Sequence, residues 1–370
     1  MTKIYLIRHA EAEGNLYRRI HGQYDSLVTD RGFRQISELE KRFDGTGIDA
    51  VYSSDLLRTC KTAEAIYVPR KLPLQTDRGL REVNMGVWED KTWGEAEYFT
   101  PEDLYAFNND PVSWRVEGCE GFFELQKRMT DTIAKIAGEN DGKTIAIVSH
   151  GSAIRAFLCM ALKVPSEEIP KVPHCDNTAV ALMLYDDSVF NVEYYGDNSH
   201  LSFENSTFAH QKWWKEQTTF DSTNMRYEVF VPERDMEVYR AFNADAGRTV
   251  PGVSEALSVT LGMIGDTPAG MCELDIEREK EDGAGWIEFA YMVQEYRRTG
   301  IGVQLIGHAV HVFRGLGRDR LRLEVEEKNE SALFFYSKYG FTVIGERIAD
   351  GIKIVKMEKD ISRYKKDGSV

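Results

Sequence analysis

Short apolar runs alternate with amphipathic stretches along the first two hundred residues, and this alternation limits the fold more than any other feature. The strand candidates are residues 3–7 (KIYLI), 144–148 (TIAIV), 178–185 and 189–195. Between the first two, residues 31–43 and 122–137 carry apolar side chains at helical spacing. Strands that alternate with helices predict an α/β layer fold with helices on both faces of the sheet.

The alternation of apolar and amphipathic stretches stops after Gly196 and begins again after Met225. The strand candidates of the second half are residues 227–231, 270–276, 286–293 and 320–325, and residues 301–316 form a long helical stretch. Because a chain of 370 residues exceeds the usual domain size of about 100–200, we expect two domains, residues 1–205 and 226–362. Residues 206–225 are expected to link them, with Trp213 and Trp214 pinning the linker to one domain.

The balance of charge and the cysteines limit the partners and the compartment. A net charge of −14 disfavours a broad nucleic-acid surface, which needs clustered Lys and Arg, but a local Arg cluster can still bind a small anion. The five cysteines are scattered without a CxxC pair, and no apolar run approaches the length of a membrane span. The N-terminal run is too short for a signal peptide. We expect a cytoplasmic protein that binds neither nucleic acid nor a membrane.

Two of the predicted strands end in a histidine. Arg8 and His9 follow the first strand, and His150 follows the strand at 144–148. Ligands of open α/β sheets bind at these strand ends. Arg58 follows another short strand, and Glu82 lies in the segment LREVNMGVWED beside glycine and aromatic residues.

These residue types can transfer a phosphoryl group without a metal ion. Guanidinium groups match phosphate oxygens and stay charged. A neutral imidazole is a competent nucleophile near pH 7. A protonated carboxyl such as Glu82 can donate to the leaving oxygen, and Trp88 could desolvate it and raise its pKa.

Several ordered blocks of the first two hundred residues resemble the histidine phosphatase superfamily, in its phosphoglycerate-mutase-like branch. They are LIRHAEAEGN, GQYDSLVTDRGFRQ, VYSSDLLRTCKTAEAI, LREVNMGVWED, GCEGFFELQKRM and VSHGSAIRAFL. Ala10, Leu27 and Gly121 stand where the family more often has Gly, Pro and Ser. The resemblance implies a three-layer α/β/α fold.

The same resemblance implies a role for each residue of the site. His9 would attack phosphorus and become phosphohistidine. Arg8, Asn15, Arg58 and His150 would hold the phosphate, and Glu82 would protonate the leaving group. The stretch NMGVWED and the short domain favour a phosphatase over a mutase. The substrate is expected to be a small phosphorylated metabolite.

A strand, a turn and a helix in WIEFAYMVQEYRRTGIGVQLIGHAV form the second candidate site. Gly300 and Gly302 open the helix, where backbone amides can approach a pyrophosphate. With LRLEVEEKNESALFFYSKYGF, this stretch resembles the coenzyme A loop of GNAT-type N-acetyltransferases, which implies a mixed α/β fold and acetyl-CoA as cosubstrate. The residues that would bind it are Met292, Val293, Arg297, Arg298, Thr299, Gly300, Gly302 and Asn329.

Two further residues are assigned to the acetyl transfer. By the resemblance, Tyr336 would reprotonate the thiolate, and Glu288 is the candidate base for the acceptor amine. Tyr336 could instead be a core aromatic residue, and Glu288 an exposed strand carboxylate.

The sequence therefore predicts a bifunctional enzyme that hydrolyses a phosphomonoester and acetylates a small amine or peptide. A phosphatase regulated by a non-catalytic acetyl-CoA-sensing domain is one alternative, and a phosphoglycerate-mutase-type enzyme is another. The two substrates and the oligomeric state stay open.

Overall fold

The computed structural model describes residues 1–210, 223–249 and 257–362. By its internal contacts the chain divides into two compact units, Met1–Lys91 with Phe99–Asp221 and Thr92–Tyr98 with Ser222–Val370. None of the helices within the described ranges is long and apolar enough to cross a membrane.

The linker predicted at 206–225 falls partly outside the described residues, and Trp213 and Trp214 both lie there. The domain limits 1–205 and 226–362 therefore stay predictions.

The first unit is built on a six-stranded sheet. Its strands are β1 (Thr2–Arg8), β2 (Ala50–Ser53), β3 (Leu74–Thr76), β4 (Thr144–Ser149), β5 (Val180–Asp186) and β6 (Val189–Asp197). Their order is β3-β2-β4-β1-β5-β6. The strands β3, β2, β4 and β1 pair in parallel, while β5 and β6 are antiparallel to their neighbours.

Helices connect these strands. They are α1 (Glu13–Tyr17), α2 (Asp30–Arg42), α3 (Leu57–Arg70), α4 (Trp93–Phe99), α5 (Pro101–Asn109), α6 (Phe122–Gly138) and α7 (Gly151–Ala161). Nearly all of α4 groups with the second unit. The expected α/β alternation is thus present from β1 to β5, and β5 and β6 follow each other directly.

The centre of this sheet is fully buried, as near-continuous apolar runs predict for central parallel strands. Ile4, Ile7, Ile145 and Val148 are all inaccessible to solvent. The two central strands pair in parallel from Lys3↔Thr144 to Arg8↔Ser149. Their carboxyl ends therefore lie side by side, and the residues that follow them begin from the same edge of the sheet.

The second unit is built on a seven-stranded mixed sheet. Its strands are β7 (Arg226–Val229), β8 (Leu257–Ile264), β9 (Thr267–Asp275), β10 (Ala284–Met292), β11 (Arg320–Glu326), β12 (Thr342–Ala349) and β13 (Ile352–Asp360), in the order β12-β13-β11-β10-β9-β8-β7. Its helices are α8 (Pro232–Asp245), α9 (Val303–Gly315) and α10 (Glu330–Lys338).

The strands β10 and β11 pair in parallel, unlike the antiparallel neighbours around them. Their pairing runs from Ala284↔Arg320 to Ile287↔Leu323, after which both strands continue. In β10 the register with β9 also shifts between Ile287 and Phe289. The bulged position is Glu288, at the point where the pairing of β10 with β11 ends.

Candidate active sites

His9 follows β1 directly, and its ring is 6% exposed. Its Nδ1 lies 2.7 Å from the carbonyl oxygen of Ala10. Because a carbonyl can only accept, Nδ1 carries the hydrogen and the lone pair of the neutral ring is on Nε2. His9 therefore presents an unprotonated Nε2, as a nucleophile requires.

His150, the residue after β4, faces His9 at a distance of 5.2 Å between ring centroids. Its Nε2 lies 2.7 Å from the hydroxyl of Ser54. Its Nδ1 is buried and has no hydrogen-bond partner among the described residues. A buried nitrogen without a partner is costly, so it is suited to bond a ligand between the two rings.

Two guanidinium groups lie against this histidine pair. Arg58 is 1% exposed and donates to the carbonyl oxygens of Tyr24 and Gly22 at 3.0 and 2.7 Å. Arg8 is 8% exposed and donates to the carbonyl of Cys175, while its Nε has no partner within the described parts of the chain.

Neither Arg8 nor Arg58 takes part in any ion pair found among the described residues. Buried cations normally pair with anions, since an uncompensated buried charge is destabilising. The two guanidinium groups thus lack a directly bonded carboxylate, and an anionic ligand can take that place.

The electrostatics keep both imidazole rings neutral. Burial, Arg58 and Arg8 hold the pKa of His9 well below its ordinary value of 6.5. Burial, Arg58 and the His9 ring do the same to the pKa of His150. At neutral pH His9 is therefore ready to attack without first losing a proton.

Glu82 joins the group through the start of α7. Its carboxylate accepts hydrogen bonds from the backbone amides of Val83, Ser152 and Ala153 at 2.9, 3.0 and 2.8 Å. The last two amides belong to the first turn of α7, where the helix dipole favours a negative charge. Its charge acts on the pKa values of Arg8 and Arg58, which places it beside the two guanidinium groups.

The indole of Trp88, expected to desolvate Glu82, packs against Phe107 and Trp114 at ring distances of 6.2 and 5.6 Å. The hydrogen bonds that hold Glu82 come from Val83 and from the start of α7. Desolvation of Glu82 by Trp88 stays a prediction.

The loop after β10 has the backbone expected for a phosphate-binding turn. Arg298 and Gly300 both have left-handed backbones, with φ of 64° and 90°, and α9 begins just beyond them. Among the described residues, the amides of Arg298, Thr299 and Gly300 make no backbone hydrogen bond. Unbonded amides at a helix start fit the pyrophosphate of a coenzyme.

Comparison with known proteins decides the family. Residues 4–198, more than half of the chain, match the histidine phosphatase superfamily (branch 1). The chain belongs to the histidine phosphatase superfamily. Residues 216–341 match the acetyltransferase (GNAT) family, so a GNAT domain follows the phosphatase domain.

Two related proteins and one solved structure are similar to the histidine phosphatase domain. The probable phosphoglycerate mutase GpmB of Proteus mirabilis is 31% identical over 55% of this chain and 96% of its own length. Phosphoglycerate mutase-like protein 4 of Arabidopsis thaliana is 33% identical over 54% of this chain and 87% of its own. The structure of YhfR from Bacillus stearothermophilus is 30% identical, with a TM-score of 0.53, over 54% of this chain and 99% of its own.

In the histidine phosphatase domain, one predicted phosphate ligand has a structural role. The Asn15 side chain accepts a hydrogen bond from the amide of Ala12 at 3.1 Å and so caps α1. Its contact with phosphate stays a prediction. His21 lies close enough to influence the pKa of His9.

Sequence reasoning missed Ser54, which orients His150 through the hydrogen bond to Nε2. It also missed the carbonyl oxygens of Gly22, Tyr24 and Cys175 that hold the two arginines. A signal existed only for Ser54, a serine placed directly after β2 and four residues before Arg58.

In the GNAT domain, two of the groups expected to contact the coenzyme make hydrogen bonds within the protein. The amide of Val293 donates to the carbonyl of Ala269 at 3.0 Å, so the expectation that it holds acetyl-CoA is corrected. The Arg297 side chain donates to Met292 O at 2.8 Å and pairs with Asp245 at 2.7 Å. It is thus turned back onto the sheet and α8 instead of projecting freely.

Asn329 caps α10 by accepting a hydrogen bond from the amide of Ala332 at 3.1 Å. Tyr336 on α10 is 9% exposed, and its burial raises the pKa of the phenol. The phenol is therefore protonated at neutral pH. This agrees both with a role as proton donor and with a role as a core aromatic residue. Glu288 is 37% exposed and forms an ion pair with Arg278 at 3.1 Å.

Proposed function

We propose that the histidine phosphatase domain hydrolyses small phosphomonoesters through a phosphohistidine formed on His9, without a metal ion. The observation that carries this proposal is a pair of buried guanidinium groups beside the unprotonated Nε2 of His9, with no carboxylate bonded to either group among the described residues. A dianionic phosphoryl group would bond them directly.

The first chemical step follows from these positions. Nε2 of His9 attacks phosphorus, an N–P bond forms and the bond from phosphorus to the ester oxygen breaks. Arg8, Arg58 and Nδ1 of His150 donate to the three phosphoryl oxygens, on which charge accumulates in the transition state. Glu82 gives a proton to the leaving oxygen.

The second step releases the enzyme. Glu82, now a carboxylate, takes a proton from water, whose oxygen attacks the phosphohistidine. The N–P bond breaks, inorganic phosphate leaves and His9 regains its lone pair. One water molecule is consumed in each cycle.

A mutase activity is the second candidate, because the relatives from P. mirabilis and A. thaliana are both named for phosphoglycerate mutase. Incubation with 3-phosphoglycerate separates the two reactions. A phosphatase releases inorganic phosphate, whereas a mutase yields 2-phosphoglycerate.

We further propose that the GNAT domain transfers the acetyl group of acetyl-CoA to an amine. The left-handed turn at Arg298 and Gly300, with its unbonded amides, supports binding of the pyrophosphate. Glu288 would accept the proton of the amine and Tyr336 would reprotonate the thiolate.

The decisive test of the phosphatase is the His9→Ala variant with an aryl phosphate, in buffer containing a chelator. Activity should fall by at least about 10³-fold, and an acid-labile phosphoprotein should form only in the wild type. A His210→Ala variant, altered at an exposed histidine, is the control. Full activity in His9→Ala, or loss of wild-type activity to the chelator, would refute the mechanism.

A further inference from the structure

A cation of the chain itself occupies a carboxylate-lined site where β10 and β11 separate. The guanidinium carbon of Arg278 lies 3.4 Å from the centroid of the Trp286 ring. Its Nη1 lies 3.1 Å from Glu288 and its Nη2 lies 3.5 Å from Glu324. Stacking on an indole and pairing with two carboxylates are the two ways in which proteins hold an organic cation.

The position of this site relates it to acetyl transfer. Glu288 occupies the bulge of β10, one residue beyond the last pair between Ile287 and Leu323. Glu324 is the next residue of β11 after that pair. The two carboxylates therefore flank the point where the parallel strands stop pairing. The loop with Arg298 and Gly300, which is proposed to bind the coenzyme, follows the end of β10.

The charges around the site favour a second cation in place of Arg278. Arg347 donates hydrogen bonds to both carboxylate oxygens of Glu324, at 2.9 and 2.7 Å, and so fixes that side chain. Lys356, 5.0 Å from the Trp286 ring, is held by both oxygens of Glu279. Among the described residues, the ion pairs of Glu288 and Glu324 are with Arg278 and Arg347 alone. Without Arg278, Glu288 would lose its ion pair and Glu324 would keep the one with Arg347.

Arg278 is able to leave. Its side chain is 33% exposed, and an ion pair this exposed stabilises a fold only weakly. The Trp286 side chain below it is 1% exposed, so departure of the guanidinium would uncover an aromatic face. A loop arginine on an aromatic face is thus exchangeable for a cation of similar size.

We propose that the acceptor is an alkylamine protonated at neutral pH, whose ammonium group takes the place of the Arg278 guanidinium. This rests on the acetyltransferase function proposed above. The ammonium group lies against Trp286 between the two carboxylates, and Glu288 removes one proton. The nitrogen attacks the thioester carbon, an N–C bond forms and the C–S bond breaks. Tyr336 protonates the departing sulfur, and the second proton of the nitrogen restores the phenol. The products are the amide, coenzyme A and one proton released to solvent.

The proposal excludes other amines. An aryl amine, neutral at pH 7, gains nothing from the carboxylates. An α-amino acid brings its own carboxylate toward Glu288 and Glu324 and is repelled. With acetyl-CoA and the full chain, release of the coenzyme A thiol should be at least ten-fold faster for 1,5-diaminopentane than for aniline or glutamate at equal concentration.

Ethylguanidine, which mimics the Arg278 side chain, tests the site without turnover. In calorimetric titration of the full chain saturated with coenzyme A, Arg278→Ala should bind it at least five-fold more tightly than the wild type. Adding Glu324→Gln to Arg278→Ala should reverse that gain. Lys353→Ala removes a cation paired with Glu327 and Glu346 on the same sheet and should leave the affinity unchanged. Saturable binding of coenzyme A to each variant confirms that the second unit has folded.

Unchanged or weaker binding of ethylguanidine to Arg278→Ala would overturn the proposal, as would equal rates with 1,5-diaminopentane and aniline. Acetylation restricted to uncharged amines would refute the cationic acceptor and leave the acetyltransferase function standing. Ethylguanidine binding that follows the predicted order, with no amine acetylated, would support the cation site and refute the transferase function.

Discussion

At the scale of single residues, burial sets the charge of the groups that react. His9 and His150 lie among guanidinium groups, and desolvation together with those charges keeps both rings neutral. In the proposed reaction, the hydrogen bond from His9 Nδ1 to the carbonyl of Ala10 makes Nε2 the nitrogen that attacks. Ser54 acts on His150 in the same way, because it bonds Nε2 and leaves Nδ1 available for the phosphate.

Replacing Ser54 by Ala should lower kcat for an aryl phosphate by about ten-fold, since one hydrogen bond that orients a charged transition-state contact is worth about 1.4 kcal/mol. The KM should change less than kcat. Thr59→Ser, which retains a hydroxyl beside Ser54, is the matched control. Equal kinetics for Ser54→Ala and the wild type would show that the ring of His150 is oriented by other contacts.

His174 couples stability to pH. Burial, with the charges of Arg155 and Arg8, lowers its pKa from 6.5 to about 3. Between these values the unfolded chain binds a proton that the folded chain does not, so stability falls as the pH falls below 6.5. Between pH 6 and pH 4, the His174→Asn variant should lose about 1.4 kcal/mol less per pH unit than the wild type. Urea unfolding, detected by proteolysis of the first unit, measures the free energy of unfolding at each pH. Identical slopes of this free energy against pH in the two proteins would contradict the prediction.

At the scale of elements, α7 assembles much of the phosphatase site. His150 stands at its N-cap, and the amides of Ser152 and Ala153 hold Glu82. Gly151, its first residue, lies against Arg8, and a Cβ added there would come within 3.3 Å of Arg8 Nε. Three functional groups thus depend on one helix start.

Gly151→Ala should therefore displace the Arg8 guanidinium and raise the KM for an aryl phosphate by about ten-fold, the value of one weakened charged contact. The comparison variant is Gly138→Ala, at the end of α6, where an added Cβ meets nothing within 4 Å. It should leave KM unchanged. A Gly151→Ala enzyme with wild-type KM and kcat would argue against a tight fit between this helix and Arg8.

The sequence predicted the elements best where they are buried. The central strands β1 and β4 were expected, since each is a continuous apolar run. The strands β12 and β13 were missed because β12 is mostly exposed and β13 alternates apolar with charged residues at partial burial. In such partly exposed strands the pattern reflects pairing with a neighbour more than burial. The apolar run of β8 carried a signal that was overlooked.

At the scale of the whole molecule, two units carry two different chemistries on one chain. The phosphatase residues all lie in the first unit, and the coenzyme loop with Glu288, Arg278 and Tyr336 lies in the second. We infer a bifunctional enzyme in which each site works with the residues of its own unit. The alternative is a phosphatase whose GNAT domain senses acetyl-CoA without turnover.

Variants of each unit should separate the two activities. His9→Ala should abolish phosphate release and retain acetyl transfer to 1,5-diaminopentane. Tyr336→Phe should lower acetyl transfer by about ten-fold or more, because the thiolate loses its proton donor, and leave phosphate release unchanged. If acetyl-CoA binds without turnover and alters phosphatase kcat, the sensor alternative is favoured.

A phosphorylated alkylamine supplied with acetyl-CoA tests whether both units act on one metabolite. We expect a product that is both dephosphorylated and acetylated, detected by mass spectrometry. Substrates of unrelated chemistry for the two units would contradict a shared metabolite.

The sequence by itself determined the two families and the α/β class and predicted the reacting residues, because ordered motifs and buried apolar runs are local properties of the chain. The tertiary structure decided what those residues face. It brought Arg8, His9, Arg58, Glu82 and His150 together from positions far apart in sequence. In the folded chain the Val293 amide bonds the carbonyl of Ala269, Arg297 pairs with Asp245, and Arg278 stacks on Trp286. Such contacts depend on strand register and on which side chains share a face, and spacing along a single chain does not encode them.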